Sequence, residues 1–408
     1  MTHPPSRDNK AFWRHVRRQV QAQVHRFAAI VPRELQPLCR QELVELAIGE
    51  LQLSEAGVEF TGRLAACMQA NLWLRTGSRV LCRLPDFRVG VVGELIHKAL
   101  AIPWEYWLNA ALPLSIQSHA GRSRLDHEGV ITETVLKAIQ QRFQGHGLPV
   151  PEPWSAPRGR ERTDETQWVQ RVLVRIESNR CEISLDTTGH HLHQRGYRRQ
   201  HTGAPLRETL AAAILLRTDW RGDRALVDGM CGAGTVAIEA ALLARHIPPG
   251  IGREFLFEKW PGHQAKTWDY IRRRAQAAAL PRVPAPIVAL DWDRMVLRVA
   301  EENAMRAGVR DDIQWESGDF LAFRPSALDL APGLVVLDPP YGIRTQGTDD
   351  LPGFYRRLGA HLRQSFKGWQ VAVATPSPDL AKELGFRQPR RWWVPHGGIP
   401  VCVCLTTI

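Results

Sequence analysis

The sequence predicts an α/β chain. Its second half reads as a doubly wound, largely parallel sheet, and its first half as smaller α+β modules. Three observations carry this. From about residue 205, short apolar runs alternate with helical stretches, the pattern of strands joined by crossover helices. From residue 26 to about 145, short strand-like runs mix with helical stretches, an alternation that suggests small α+β modules. Between them lies "GHGLPVPEPWSAPRGRERTDETQ", whose Pro, Gly and charge content marks a loop or linker. A chain of 408 residues exceeds one ordinary domain, so two or three are expected.

Taken in order, the first 25 residues (MTHPPSRDNKAFWRHVRRQVQAQVH) lack the apolar stretch of a secretory signal. They are Arg-rich and acid-poor, which would suit a mitochondrial leader, but read more simply as a basic flexible arm. "FAAIV" is strand-like, and "RELQPLCRQELVEL" places apolar residues at helical spacing. "GVEFTG" reads as a strand, "LAACMQANLWLRTGSRV" as a helix running toward the next strand, and "HEGVITETVLKAIQQRF" as a second clear helix. "WVQRVLVRIESNRCEISLDTTG" gives two strands joined by a turn at Ser178–Arg180. In the second half, "ETLAAAILLRTDW" is a helix and "RALVDGMCGAGTVAIEAALLAR" is strand, Gly-rich turn and helix. "PIVALDWDRMVLRVAEENAMRAGV" is strand, acid and helix, and "IQWESGDF" is strand and turn. "GLVVLDPPYG" is strand and turn, "FYRRLGAHLRQSF" is a helix, and "WQVAVATPSP" and "VCVCLTTI" are later strands.

Composition narrows the function classes. Hydrophobic content of 44% and charged content of 23% fit a globular protein. No apolar run reaches the ~18–20 residues that span a bilayer. The formal charge is +11, mostly from arginine, and a basic surface favours polyanions, nucleic acid above all. Genomic base composition would explain the ratio of Arg to Lys, but not the net charge. The seven cysteines (Cys39, Cys67, Cys82, Cys181, Cys231, Cys402, Cys404) are scattered and contain no CxxC pair. That argues against a zinc site and a disulfide framework, and for a reducing cytoplasm.

Ligands of such sheets bind at the carboxyl ends of the strands. Four strand ends here carry something notable. The first, "VDGMCGAGT", has Asp228 followed by Gly232 and Gly234, which let the backbone approach a ligand and start a helix. The spacing is G-x-G rather than G-x-G-x-x-G, and an acid suits an ammonium better than a pyrophosphate. This points to S-adenosylmethionine over NAD, with a purely structural turn as the alternative. The second is Asp291 in "VALDWD", placed to accept the hydroxyls of a ribose. Asp293, two residues on, competes for that role but suits a helix cap. Asp228 and Asp291 lie 63 residues apart (291 − 228), so "GREFLFEKWPGHQAKTWDYIRRRAQ" must be an insertion after the first helix. The third is Asp319 in "ESGDF", placed for an adenine amino group, or else an ordinary turn acid.

The fourth strand end is "VVLDPPYGIR". An exocyclic amine on a nucleobase is a poor nucleophile, because its lone pair is delocalised into the ring. Two acceptors that hold its two N–H bonds localise that lone pair without a strong base. The Asp338 side chain is one such acceptor and the Pro339 carbonyl the other. The prolines stiffen the turn, and Tyr341 offers a face on which a flipped-out base stacks. A Pro-stiffened loop without chemistry is the plainer alternative.

Four stretches together carry a family resemblance: "DTTGHHLHQRGYRRQHTGAPLRETLAAAILL", "VDGMCGAGTVAIEAAL", "FLFEKW" and "LDPPYGIR". The chain resembles the class I S-adenosylmethionine-dependent RNA methyltransferases that carry a THUMP domain, and within them the 23S rRNA guanine-N2 methyltransferase family. The resemblance runs from about residue 26 to the C-terminus and accounts for the 63-residue gap, since the family has an insertion there. It implies a basic arm over 1–25, a ferredoxin-like region over 26–75 and an RNA-binding THUMP domain over 76–188. A Rossmann-like methyltransferase domain would follow over 189–408. By position, Asp228, Gly232 and Gly234 would line the methionine end of the cofactor, with Cys231, Pro205 and Leu206 beside it. Asp291 would take the ribose and Asp319 the adenine, while Asp338, Pro339 and Tyr341 would hold the target base. One departure is Asp338 itself. The bacterial rRNA enzymes usually carry Asn there, whereas Asp is typical of tRNA guanine-N2 and adenine-N6 enzymes. Both accept an N–H bond, so the reaction type is the same and the choice of RNA stays open.

In "GHHLHQRGYRRQH", a metal site is the sharper reading, but no carboxylate or Cys stands at ligand spacing. Arg195, Tyr197, Arg198 and Arg199 are expected to face RNA phosphate or to join the two halves of the protein. Trp104, Trp107, Trp392 and Trp393 could stack on bases, but their spacing suits a core. No Pro-Cys occurs, which excludes the cysteine-dependent methylation of a pyrimidine C5. The competing class is a non-catalytic RNA-binding assembly protein, and the retained acids argue against it. The expected partners are S-adenosylmethionine and structured RNA, rRNA first and tRNA second, with no metal, no membrane and a monomeric state.

Overall fold

The computed structural model describes residues 10–154, 168–198, 206–339, 350–396 and 399–408. Strands β1 (His25–Ile30), β2 (Gln52–Leu53), β3 (Gly57–Gly62), β4 (Arg79–Arg83), β5 (Phe87–Arg88), β6 (Leu114–Gly121), β7 (Gln170–Glu177) and β8 (Arg180–Asp186) form one sheet. Its order is β2-β3-β1-β4-β8-β7-β6, with β5 paired to β8 off that path. Phe27 (β1) is fully buried and its ring stacks on Phe60 (β3) at 5.3 Å. Helices Gln36–Glu45 and Leu64–Trp73 bury Leu43 and Leu72 in the same core. In the β7–β8 hairpin, Ser178 and Asn179 take positive φ of 50° and 60°, the left-handed pair that a two-residue turn between twisted strands demands.

The expected boundary at residue 75 falls within a continuous sheet. β4 pairs with β1 on one side (Phe27↔Cys82) and with β8 on the other (Leu81↔Asp186). The two N-terminal modules therefore share their hydrogen bonding, which apolar periodicity along the chain does not reveal. The flexible arm is also corrected. Residues Lys10–Val16 form an α-helix that continues as a helical turn over Arg17–Gln21. Val16 and Val20 are fully buried, Phe12 lies edge-on to Tyr106 at 5.5 Å, and the Gln21 side chain donates to the Gly262 carbonyl at 3.0 Å. Two valines four residues apart make an anchoring stripe that a reading of charge alone passes over.

Strands β9 (Leu226–Asp228), β10 (Ile287–Asp291), β11 (Gln314–Ser317), β12 (Leu334–Leu337), β13 (Gln370–Thr375), β14 (Arg390–His396) and β15 (Ile399–Thr407) form the second sheet. Its order is β11-β10-β9-β12-β13-β15-β14. β9 to β13 run parallel, and β15 lies antiparallel between β13 and β14. Parallel strands covered on both faces read as unbroken apolar runs, as in the fully buried β10 and β12. β14 is a strand that the apolar pattern does not announce. Trp392 is buried while Trp393 is 38% exposed, the alternation of an edge strand rather than two core tryptophans. Trp104 and Trp107 are buried, in line with their spacing. No helix among the described residues is long and apolar enough to cross a membrane.

The "FLFEKW" insertion and the 190s loop lock the two sheets together. The backbone N–H groups of Leu256 and Phe257 donate to Thr188 and Thr187 at the end of β8. Helix Ala265–Ala277 packs on helix Leu64–Trp73. Arg195 is buried and pairs with Glu239, also donating to the Leu192 and Arg75 carbonyls at 2.7 Å. The Tyr197 hydroxyl donates to the same Glu239 at 3.3 Å. Glu42 accepts the Arg75 backbone N–H at 2.6 Å, and Arg75 reaches the Ile247 carbonyl at 2.7 Å. Of the two roles expected for Arg195 and Tyr197, joining the halves is the one the structure shows and facing phosphate is not: both are turned into the joint, drawn by the buried Glu239. Arg198 is half-buried against Glu208 and donates to the Leu206 carbonyl and the Thr235 hydroxyl. Arg199 lies outside the described residues.

Removing Arg195 leaves Glu239 buried without its cation. Arg195→Ala is expected to lower stability by about 3–5 kcal/mol in urea denaturation, the cost of an uncompensated buried charge. A loss below ~1 kcal/mol would show that the joint does not depend on this pair.

Candidate active site

Four acids stand at the carboxyl ends of four adjacent strands in the order β11, β10, β9, β12. After β11 the chain crosses back over β9 to form β12, so the direction in which strands are added reverses between β9 and β12. That switch point opens the crevice in which such sheets bind ligands. Asp228 pairs in register with Ala289 and Val336. Asp291 and Asp338, each two residues further on, therefore flank the Gly-rich turn at one level from either side.

Asp228 ends β9 and is 2% exposed. Its carboxylate accepts the Ala237 N–H at 3.1 Å, in the first turn of helix Thr235–Ala244. Burial pushes its carboxyl up to about 8, and the nearby Asp291 and Asp338 charges add to the rise. Such an acid ionises readily only when a cation comes beside it. The following turn admits no bulk: a Cβ on Gly229 would lie 2.4 Å from the Phe320 ring and 2.6 Å from Leu337. Gly232 differs, with φ of +52° and, among the described residues, no atom within 4 Å of the place a Cβ would take, so its outer side is clear of them. Gly234, at φ +80°, starts the helix and lies 3.0 Å, by its would-be Cβ, from Ala300.

Asp291 ties the second strand to this turn. One carboxylate oxygen accepts the Gly232 N–H at 3.0 Å and the other the Asp293 N–H at 3.0 Å. It keeps free lone pairs at 9% exposure. Asp293 caps helix Arg294–Ala307 through the Met295 and Val296 N–H groups, which removes it as the rival for the ribose. Asp319 is exposed, accepts the Leu321 N–H at 2.9 Å, and follows Gly318, whose N–H donates to the Asp291 carbonyl. Asp338 is half-buried directly after β12, and Pro339 is buried. Tyr341 and Pro205 lie outside the described residues. Leu206 is buried at the joint, and Cys231 is a buried packing residue whose N–H donates to the Leu290 carbonyl.

Three further contributors come from the structure rather than the sequence. Asn303 is fully buried and donates to the Ala233 carbonyl at 3.1 Å, fixing the turn from helix Arg294–Ala307. Thr235 receives the Arg198 guanidinium and so links the 190s loop to the same turn. Trp292, next to Asp291, is 77% exposed, a flat ring beside the crevice. Only Trp292 has a visible signal, a large aromatic between two acids in "LDWD"; the other two depend on contacts distant in sequence. The "GHHLHQRGY" loop buries Leu192, Arg195 and Tyr197 while His191 and Gln194 stay exposed. Arg253 donates to the His190, His191 and Gln194 carbonyls, and Arg79 donates to His191 at 3.1 Å. Burial, with Arg79 adding, holds His191 down at about 4; burial, with His191 adding, holds His193 at about 3.

A sheet with the reversed strand β15 tucked between β13 and β14, and with acids at its switch point, defines a class I methyltransferase fold. The comparisons agree. Residues 195–399 match the model of the RMKL-like methyltransferase domain, and residues 26–81 that of the RlmL ferredoxin-like domain. A ribosomal RNA large subunit methyltransferase K/L of Syntrophotalea carbinolica is 36% identical over 393 residues, covering 92% of this chain and 52% of that protein. A proposed RNA methyltransferase of Synechocystis sp. is 32% identical over 375 residues, covering 92% of this chain and 94% of that protein. Among solved structures, SMU.472, a proposed methyltransferase complexed with SAH, superposes with a TM-score of 0.80 at 25% identity, covering 95% and 99% of the two chains. The chain belongs to the RMKL-like methyltransferase family. It spans about half the length of the K/L relatives it matches.

The buried Asp228 gives a signed pH prediction. Its folded value, about 8, is raised above the ordinary ~3.9, so its contribution to stability is complete below pH ~4 and is lost as pH rises toward 8. Asp228→Asn keeps the acceptor for Ala237 and cannot ionise. Without ligand, the variant should gain on the native protein steadily between pH 4 and 8, by on the order of several kcal/mol at the upper end. Parallel stability profiles in chemical denaturation would contradict the raised value.

Proposed function

We propose that the chain is an S-adenosylmethionine-dependent RNA methyltransferase that acts on the exocyclic amine of a purine, guanine N2 in 23S rRNA. The observation that carries this reading is the half-buried Asp338, set at the end of β12 across the switch point from the buried Asp228. The description of the K/L relatives supports the RNA class. The cofactor fits what is present. Its ammonium would supply a positive partner that buried Asp228 lacks among the described residues, and its backbone-facing side would lie over Gly232, open among those same residues. Asp291 would accept the ribose hydroxyls, Asp319 the adenine amine, and Trp292 would flank the adenine ring. The group supplies an electrophilic methyl on a sulfonium.

This chain's own residues would then orient the amine. Asp338 accepts one N–H bond and the Pro339 carbonyl the other, which turns the nitrogen lone pair out of the ring and toward the methyl. Tyr341 would stack on the base. The N-terminal sheet would act as the THUMP-type module that recognises structured RNA. We infer a cytoplasmic monomer. Aspartate at 338, rather than the asparagine usual in the bacterial rRNA enzymes, favours a second reading, a tRNA guanine-N2 or adenine-N6 enzyme.

The test uses purified protein with unmodified 23S rRNA and tRNA, followed by nucleoside mass spectrometry. N2-methylguanosine in the rRNA is expected; product in tRNA, or N6-methyladenosine, would move the reading to the alternative. Asp338→Ala should lose at least ~100-fold in kcat with cofactor affinity unchanged within about twofold. Near-normal turnover would remove the amine-orienting role.

A further inference from the structure

The insertion that separates Asp228 from Asp291 carries a helix, Ala265–Ala277, whose two faces differ sharply. Trp268, Ile271 and Ala275 are buried, and Arg272 turns inward over the Trp268 ring to donate to the Ile251 carbonyl at 3.2 Å. Lys266, Tyr270, Arg273 and Arg274 are exposed, Tyr270 by 59%. At about 100° per residue, the three cations fall within roughly 60° of Tyr270 on the helix surface. The result is an exposed phenol ring framed by positive charge.

None of Lys266, Arg273 and Arg274 is in an ion pair among the described residues, and Asp269, four residues before Arg273, makes none with it. Elsewhere the same sheet domain neutralises such arginines: Arg306 pairs with Glu302, and Arg310 with Glu301. A second helical segment repeats the pattern. Lys10, Arg14, Arg17 and Arg18 are exposed, likewise at i, i+4, i+7 and i+8, and no acid occurs between residues 10 and 33. Its buried Val20 and its Gln21 side chain sit on Gly262, three residues before the insertion helix begins. The apolar face of each segment is already used against protein, which leaves only the polar face for a partner.

We propose that the outward face of helix Ala265–Ala277, extended by the docked N-terminal helix, is a docking ridge for the RNA substrate. Lys266, Arg273 and Arg274 contact phosphates, and Tyr270 stacks on an unpaired base. The inference rests on the RNA reading given above. It adds that the insertion, which bridges the two sheets, is itself an RNA-binding element and fixes the RNA relative to the crevice.

The experiment measures affinity for in vitro-transcribed, unmodified 23S rRNA from about 50 to about 300 mM KCl. The proteins are the native chain, K266Q/R273Q/R274Q, R14Q/R17Q/R18Q and Tyr270→Ala. Each triple variant is expected to flatten the slope of log affinity against log salt by about 2–3 and to weaken binding at least tenfold. Tyr270→Ala should weaken binding roughly 5- to 100-fold with the slope retained. Cofactor affinity and melting temperature should stay at native values, because all the altered side chains are exposed. Native-like slope and affinity in K266Q/R273Q/R274Q, with the native chain binding steeply, would overturn this inference alone. A native chain with no salt-dependent affinity would overturn the RNA reading and this inference with it. Phosphatidylglycerol vesicles are the second probe: loss of vesicle binding in the triple variants with RNA binding intact would assign the ridge to a membrane surface and overturn the proposal.

Discussion

Everything at the site depends on a carboxylate held out of water at the end of β9. Asp228 is surrounded by a turn so tight that a side chain on Gly229 would strike Phe320 and Leu337, and its one donor among the described residues is the first turn of the next helix. An ionised carboxylate in that position is costly, so the ligand-free protein keeps a proton there. The surrounding elements are organised to hold that turn in place. Asn303 pins the Ala233 carbonyl, Asp291 pins the Gly232 N–H, and Gly318 pins the Asp291 carbonyl. Three strand ends thereby become one rigid rim, with the outer side of Gly232 open among the described residues.

The second constraint is the joint between the sheets. Arg195, Tyr197 and Glu239 on one side and Glu42 and Arg75 on the other form a buried polar network, closed by backbone bonds from Leu256 and Phe257 to the end of β8. Buried charge pairs add little net stability, but they tolerate few alternative arrangements. The orientation of the N-terminal sheet relative to the crevice is therefore specified. Arg198 carries the joint as far as Thr235, at the start of the helix that follows the Gly-rich turn. The N-terminal sheet is thereby mechanically connected to the acids at the crevice.

Much of this is legible in the sequence because it is local. Parallel strands covered on both faces are apolar runs, and an acid or glycine directly after such a run must lie at the ligand-binding edge. That logic brings Asp228, Asp291, Asp319 and Asp338 to one rim and identifies Asp293 as a cap. What fails is long-range. Arg195 and Tyr197 lie in a run of basic and aromatic residues that suits either a phosphate-binding surface or a joint, and the partner that decides for the joint, Glu239, sits more than forty residues away. β4 joins two modules only because its far edge finds β8. The N-terminal segment looks like a loose arm because its charges are conspicuous and its two anchoring valines are not.

The most direct test of the account is a titration of the protein with S-adenosylmethionine at about pH 6.5 by calorimetry, repeated in buffers of different ionisation enthalpy. With Asp228 protonated in the ligand-free protein up to about 8, binding of the cationic cofactor should release close to one proton per site. The observed heat should then vary linearly with buffer enthalpy. Binding that is tight but independent of buffer would mean that the buried acid does not ionise against the cofactor, and would contradict the account.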